Sequence, residues 1–228
     1  MSLELVLDTE TTGFEPDEGH RLIEVAAVEV SDGVPTGAEW RWWINPNRTI
    51  PEEATRVHGI TLEMLKDKPF FEEVAAEIHA VLAGRRLVIH NKAFDTKFLN
   101  HEFRAVGLPE LDIELITDTM DLARRRFPGA QVNLDALCRR FNIAGHEERT
   151  VHGALIDARL TALVYLELLG GRQRSLDLLA GAAAEAARAA GQRLQRTPVV
   201  RRPTEEELAA HATLIGKIKD PVWARYAA

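Results

Sequence analysis

Apolar and polar positions alternate along the first 170 residues in a way that separates strands from helices. Leu3–Leu7, Leu22–Val30 and Trp40–Ile44 are short runs rich in β-branched and aromatic residues, and Gly, Pro and Asp separate them. They predict three strands of a meander. From Phe71 to Ala83 the apolar residues Val74, Ala75, Ile78, Val81 and Leu82 return at helical spacing, and Gly84 follows where a C-terminal cap belongs. A strand over Leu87–His90, a helix from Ala93 to about Ala105 and a short strand near Leu115–Thr117 come next, then helices over Asp121–Phe127, Leu134–Phe141 and Gly153–Leu169. Strands followed by alternating helices and strands predict a mixed α/β domain. Gly170-Gly171 closes it, so the domain is expected to span residues 1–171.

Past Gly171 the pattern changes. Residues 181–202 are dominated by alanine, with five arginines against one glutamate and hardly any large apolar side chain, so they cannot build a core. A connector over residues 172–203 is expected there, although alanine also favours isolated helix. At Thr204-Glu205-Glu206-Glu207 a capping-box pattern begins a tail, residues 204–228, that carries Leu208, Leu214, Ile215, Ile218, Trp223 and Tyr226. That tail is too small to fold alone and has the apolar anchors of a partner-binding segment.

Composition narrows the possibilities. A hydrophobic content of 46% over 228 residues suffices for a substantial core. The 28 basic and 35 acidic side chains leave a net charge of −7, which excludes a broadly basic surface, so any nucleic acid has to be gripped locally. Cys138 is the only cysteine, so neither an intramolecular disulfide nor a cysteine-based zinc site can form. No signal-peptide pattern opens the chain and no run of 18 apolar residues exists, so a cytoplasmic protein with no membrane partner is expected.

The candidate chemistry is carried by acids. In Leu5-Val6-Leu7-Asp8-Thr9-Glu10 a hydrophobic strand ends in two carboxylates two positions apart, which strand periodicity places on one face. At about 4 Å such anions repel by roughly 4 kcal/mol at an effective dielectric of 20, so either water or a cation has to offset them. In Val88-Ile89-His90-Asn91-Lys92-Ala93-Phe94-Asp95 a strand turns into a helix, and Asp95 falls in the first turn, where the macrodipole favours an anion. Asn91 can serve the helix start or orient a neighbouring acid, and Phe94 can pack in the core as well as reach a substrate. In Val151-His152-Gly153-Ala154-Leu155-Ile156-Asp157 the two polar residues are five apart, which on a helix diverges by about 140°, so His152 belongs to the loop and Asp157 to the helix.

Asp8-Thr9-Glu10, Asn91-x-x-x-Asp95 and His152-x-x-x-x-Asp157, in this order, resemble the three motifs of the DEDDh family of 3′→5′ exonucleases. The closer resemblance is to the branch of epsilon proofreading subunits of bacterial DNA polymerase III. It runs through Leu7–Gly13, Val57-His58-Gly59-Ile60, Val88–Asn91, Asn133–Cys138 and His152–Leu155, and covers roughly residues 3–170. The resemblance implies a ribonuclease H-like exonuclease fold, a mixed central sheet flanked by helices, here with a C-terminal extension. It implies Asp8, Glu10, Asp95, His152 and Asp157 as catalytic residues acting on a DNA 3′ end, single-stranded or frayed. Four oxygen donors without cysteine select hard cations, so two Mg²⁺ or Mn²⁺ ions are expected on Asp8, Glu10, Asp95 and Asp157. In that scheme Asp8 bridges both ions and His152 is the general base. Thr9, Glu10, Thr11, His58, Asn91 and Phe94 are the expected substrate contacts, with a turn-capping role open for His58. By the same resemblance the tail docks on the alpha subunit of a replicative DNA polymerase. Gln173–Leu179 is either a sliding-clamp peptide or a continuation of the last helix. An RNA-trimming relative and a catalytically silent interaction protein are the alternatives.

Overall fold

The strand β1 (Leu3–Thr11) is buried on both faces from Glu4 to Leu7, as a strand in the middle of a sheet must be. In the computed structural model, which describes residues 3–144, 152–171 and 203–218, the sheet has the order β3-β2-β1-β4-β5. The partners are β2 (Leu22–Ser31), β3 (Val34–Trp43), β4 (Arg86–Ile89) and β5 (Ile116–Asp118). β2 and β3 form the antiparallel meander that the alternation predicts, whereas β4 and β5 add in parallel on the other side of β1.

Helices cover both faces. Leu5 and Leu7 pack with Phe71, Ile78 and Leu82 of α3 (Phe71–Leu82) and with Phe98, Leu99 and Phe103 of α4 (Lys92–Ala105). Val6, one residue out of phase, meets Ala162 and Tyr165 of α7 (Ala154–Leu168) on the opposite face. Along that second face Glu4 accepts hydrogen bonds from the Tyr165 hydroxyl at 3.2 Å. The end of α7 therefore lies at the start of β1, and its beginning lies at Asp8 and Glu10. A satellite core joins α7 to α5 (Thr119–Arg126) and α6 (Leu134–Arg140) through Ala123, Leu137, Cys138, Leu160 and Val164.

Two boundaries and two added helices differ from the sequence reading. β1 runs to Thr11 rather than stopping at Leu7, which puts Asp8 and Glu10 inside the strand. β3 begins at Val34 rather than Trp40, because Asp32 and Gly33, with φ of 51° and 84°, make the left-handed turn that closes a β2–β3 hairpin. Pro35 is tolerated since β3 is an edge strand. Two short helices, α1 (Glu52–His58) and α2 (Leu62–Leu65), occupy a stretch for which no element is expected.

The chain divides into two compact units, residues 1–182 and 183–228. In the second, α8 (Glu205–Gly216) starts with the capping box: Thr204 Oγ1 accepts from Glu207 N at 3.2 Å and Glu207 Oε2 from Thr204 N at 2.8 Å. Gln173–Leu179, most of the connector, Trp223 and Tyr226 lie outside the described residues. Among the described residues no helix is long and apolar enough to cross a membrane.

Candidate active site

Period 2 sends Asp8 and Glu10 from β1 to the face that α7 covers, and Asp157 lies in the first turn of α7. One carboxylate oxygen from each of Asp8, Glu10 and Asp157 lies within 4.8 Å of the others. Three anions this close repel one another, and oxygen donors in such a group match the preference of hard divalent cations. His152 precedes α7 in the loop, as its spacing from Asp157 requires, and its Nδ1 is 3.3 Å from Asp157 Oδ2.

The start of α7 is held from two sides. Glu24, completely buried on β2 and paired with Glu10 in the sheet register, accepts from Ala154 N at 3.2 Å and from Arg41 Nε at 2.6 Å. His152 N donates to Val57 O at 2.9 Å, tying the loop to α1. The register of β1 against β2 shifts between Glu10 and Thr11, an irregularity of the kind that re-aims side chains beside functional sites.

Asp95 is placed differently. Thr9 points away from its neighbours Asp8 and Glu10 to the α4 face, and its hydroxyl donates to Asp95 Oδ1 at 2.8 Å. Asp95 is thereby outside the group formed by Asp8, Glu10 and Asp157. Burial pushes its carboxyl up to about 7, against the lowering effect of the Thr9 hydrogen bond.

Two cavities flank the three carboxylates. One, of about 420 Å³, is walled by Glu10, Thr11, Gly13, Phe14, His58 and Phe94 among others. The other, of about 350 Å³, contains Asp8, His90, Asn91, Asn133, His152 and Asp157 in its walls. A family model described as Exonuclease (RNase_T) matches residues 5–165. The chain belongs to this exonuclease family. The DNA polymerase III subunit epsilon of Rickettsia conorii is 44% identical to the exonuclease over 223 residues, covering 94% of this chain and 96% of the relative. The subunit of the same name from Escherichia coli strain K12 is 41% identical over 219 residues, covering 91% and 90%. The solved structure of Exonuclease X in complex with 5′-overhanging duplex DNA aligns with a TM-score of 0.57 at 28% identity, covering 73% of this chain and 90% of that one. The sheet and its helices are thus those of the ribonuclease H-like exonuclease fold.

Of the substrate contacts expected from sequence, Glu10, Thr11, His58 and Phe94 line the larger cavity of the exonuclease. Asn91 lines the other, and Thr9 is turned to Asp95. Asn91 takes the left-handed conformation at φ 70° and makes no side-chain cap bond. The helix start is capped instead by Asp118, which accepts from Asn91 N at 3.2 Å and Lys92 N at 3.1 Å. His58 is buried and its Nδ1 accepts from Ile60 N at 3.0 Å, which assigns the proton of the neutral ring to Nε2. Burial, with His152 nearby, holds the His58 pKa below its ordinary value.

Sequence reasoning missed Glu24, Arg41, Gly13, His20 and His90. Glu24 had a signal, an acid set among the apolar residues Leu22, Ile23, Val25 and Ala26 of β2. Gly13 is required by His20, whose ring would lie 2.3 Å from a Cβ at that position. His90 follows β4, with Nδ1 2.8 Å from the Thr119 hydroxyl, and burial lowers its pKa to about 4.

Proposed function

We propose that this exonuclease removes nucleotides one at a time from the 3′ end of DNA and proofreads for a replicative DNA polymerase. The observation that carries the reading is the meeting of Asp8, Glu10 and Asp157 oxygens within 4.8 Å, between two cavities at the end of the central strand. The names of the Rickettsia and Escherichia relatives, matched over nearly their whole lengths, support the polymerase assignment.

The donor set fits divalent metal: carboxylate oxygens of Asp8, Glu10 and Asp157 converge there, and a cation relieves their mutual repulsion. We assign two ions, Mg²⁺ or Mn²⁺, to Asp8, Glu10 and Asp157, with Asp95 contributing from the first turn of α4. When bound they supply an activated water and neutralise charge on the departing 3′-oxygen. His152 Nε2 takes the proton of the attacking water, while the Nδ1 contact with Asp157 keeps the ring in place. In the larger cavity His58 Nε2 donates to the terminal nucleotide. Backbone groups of Thr9, Glu10 and Thr11 hold its sugar, and Phe94 and the exposed Phe14 pack on its base. A mispaired end unstacks at lower cost than a paired one, which gives preference for errors without reading sequence.

Residues 172–203 are assigned as the connector, with Gln173–Leu179 as a sliding-clamp peptide, and residues 204–228 as the segment that docks on the polymerase alpha subunit. Exposed Leu208, Leu214 and Ile218 on and just after α8 support docking. Digestion of matched DNA and RNA oligomers side by side, with metal and with EDTA, tests the reading: metal-dependent shortening of DNA from its 3′ end is expected. Digestion of DNA that EDTA leaves undiminished, or a preference for RNA, contradicts it.

A further inference from the structure

We propose that the α5–α6 side of the exonuclease is a second, non-catalytic binding surface that grips the sugar–phosphate backbone of the substrate strand upstream of the reacting end. This rests on the reading of the carboxylate site as the place where the 3′ end reacts. Although the chain carries a net charge of −7, residues 119–143 hold five arginines against Asp121 and Asp135. Arg124, Arg125 and Arg126 lie in the last turn of α5, Arg139 and Arg140 in the last turn of α6, and all five are exposed. A helix C-terminus favours cations, but that preference does not require two helix ends to bring theirs to one side of the fold.

The five arginines are engaged by internal partners to different degrees. Arg124 meets Asp121 at 2.8 Å in an exposed ion pair, which is worth little in water. Arg126 donates to the last carbonyls of α7, and its guanidinium lies 5.5 Å from the Phe127 ring. The Arg140 guanidinium lies over the same ring at 4.6 Å, and Phe141 adjoins Phe127 with centroids 5.8 Å apart. Among the described residues Arg125 and Arg139 make no hydrogen bond or ion pair. Cations interleaved with aromatic rings are the composition of single-strand binding platforms, where phosphates meet the charges and bases meet the rings.

Position decides for a nucleic acid strand over an acidic protein. An open depression of about 480 Å³ is lined by Ala130, Gln131, Ala136, Arg139 and Arg140. Asn133, Leu134 and Asp135, from the other end of α6, line the cavity that holds Asp8 and Asp157. One short helix thus forms a wall of both, and its rise from Leu134 to Arg140 is only about 9 Å. A strand whose end reacts at the carboxylates reaches the arginines within a few nucleotides. The surface supplies the local grip that the acidic chain otherwise lacks, and it acts only on substrates long enough to reach it.

The test compares wild type with Arg125→Glu/Arg139→Glu on two substrates: a 12-nucleotide single-stranded DNA and the p-nitrophenyl ester of thymidine 5′-monophosphate, which is too short to reach the surface. With Mg²⁺ present, the expected result is unchanged ester turnover, with KM for the 12-mer raised on the order of tenfold. The dependence of log(kcat/KM) on log salt should become shallower by about 0.7 for each phosphate contact removed. Arg125→Lys/Arg139→Lys, which keeps the charge, is expected to behave as wild type. Unchanged 12-mer kinetics and salt slope overturn the proposal and give the surface to another partner, such as an acidic protein. Equal losses on ester and 12-mer also overturn it, since they report damage to the carboxylate site. Failure of wild type to hydrolyse the ester with any divalent metal counts instead against the reading of that site.

Discussion

Replacing Asp8 by Asn is expected to raise the stability of the metal-free protein while abolishing its activity. Asp8 takes part in two of the three carboxylate pairs in the group, whose oxygens lie within 4.8 Å of one another. At that separation and an effective dielectric of 20, each pair repels by about 3.5 kcal/mol. Asp8 and Glu10 are partly exposed, so water screens much of this. About 2 kcal/mol remains as the relief that a neutral amide of the same shape provides. In a domain of this size that corresponds to a rise of roughly 4–8 °C in Tm. Magnesium should reverse the order, because at about 100 times its Kd it stabilises the wild type by about 2.7 kcal/mol and should do far less for Asp8→Asn. Loss of several kcal/mol of transition-state stabilisation lowers kcat on the order of 10³-fold. Differential scanning calorimetry in EDTA and in Mg²⁺ reads both effects. A metal-free variant less stable than wild type, or equal stabilisation of both by Mg²⁺, would refute the electrostatic reasoning.

His152→Ala is expected to lower kcat by about 10²–10⁴ while the Mg²⁺-induced rise in Tm persists; a pH–rate profile identical to wild type would remove it from the base role. Glu24→Ala leaves the first helical N–H of α7 and Arg41 without their buried acceptor, with a loss of about 2–4 kcal/mol by urea denaturation and a fall in kcat, whereas Glu24→Gln should recover part of both. Gly13→Ala forces a Cβ against the His20 ring at 2.3 Å and should raise KM more than it lowers stability; wild-type kinetics would show that the ring moves aside freely. Burial holds His90 near 4 against 6.5 in the open chain, so the unfolded state binds more protons between those values. His90 therefore contributes stability above about pH 6.5 that is lost as pH falls toward 4, by about 3 kcal/mol in all. Asp95, raised to about 7, has the opposite slope over much of that range. The comparison of His90→Asn with wild type isolates the histidine, and an equal pH dependence of the two would contradict the assignment.

The sheet and the long helices were legible because each buries a periodic face. β1 and β2 carry the apolar runs Leu5–Leu7 and Val25–Val28, and α3 repeats its apolar residues at helical spacing over twelve residues. The first half of β3 was not, since Val34–Gly37 contains Pro and Gly and an edge strand needs little β propensity; the Asp32-Gly33 pair was the overlooked cue. α1 and α2, at seven and four residues, are too short for periodicity to register.

In the site, strand alternation from Asp8 to Glu10 was enough to put those two acids together, and the spacing of His152 from Asp157 was enough to separate loop from helix. The same alternation holds the lesson of Asp95. Thr9 must point opposite to Asp8 and Glu10, and the α4 side is where Asp95 meets it. The pairing of Glu24 with Arg41 and Ala154 could not be read, because the contacts join positions 17 and 130 residues apart and exist only once the sheet and α7 are assembled.

The central claim is that carboxylates gathered at the end of β1 drive metal-dependent removal of nucleotides from a DNA 3′ end. The most direct measurement follows the products released from a primer with a mispaired 3′ terminus, with Mg²⁺ and with EDTA. Nucleoside 5′-monophosphates should appear in sequence from that terminus, faster than from a paired primer, and only with metal. Release that continues in EDTA, or that starts from the 5′ end, would contradict the account.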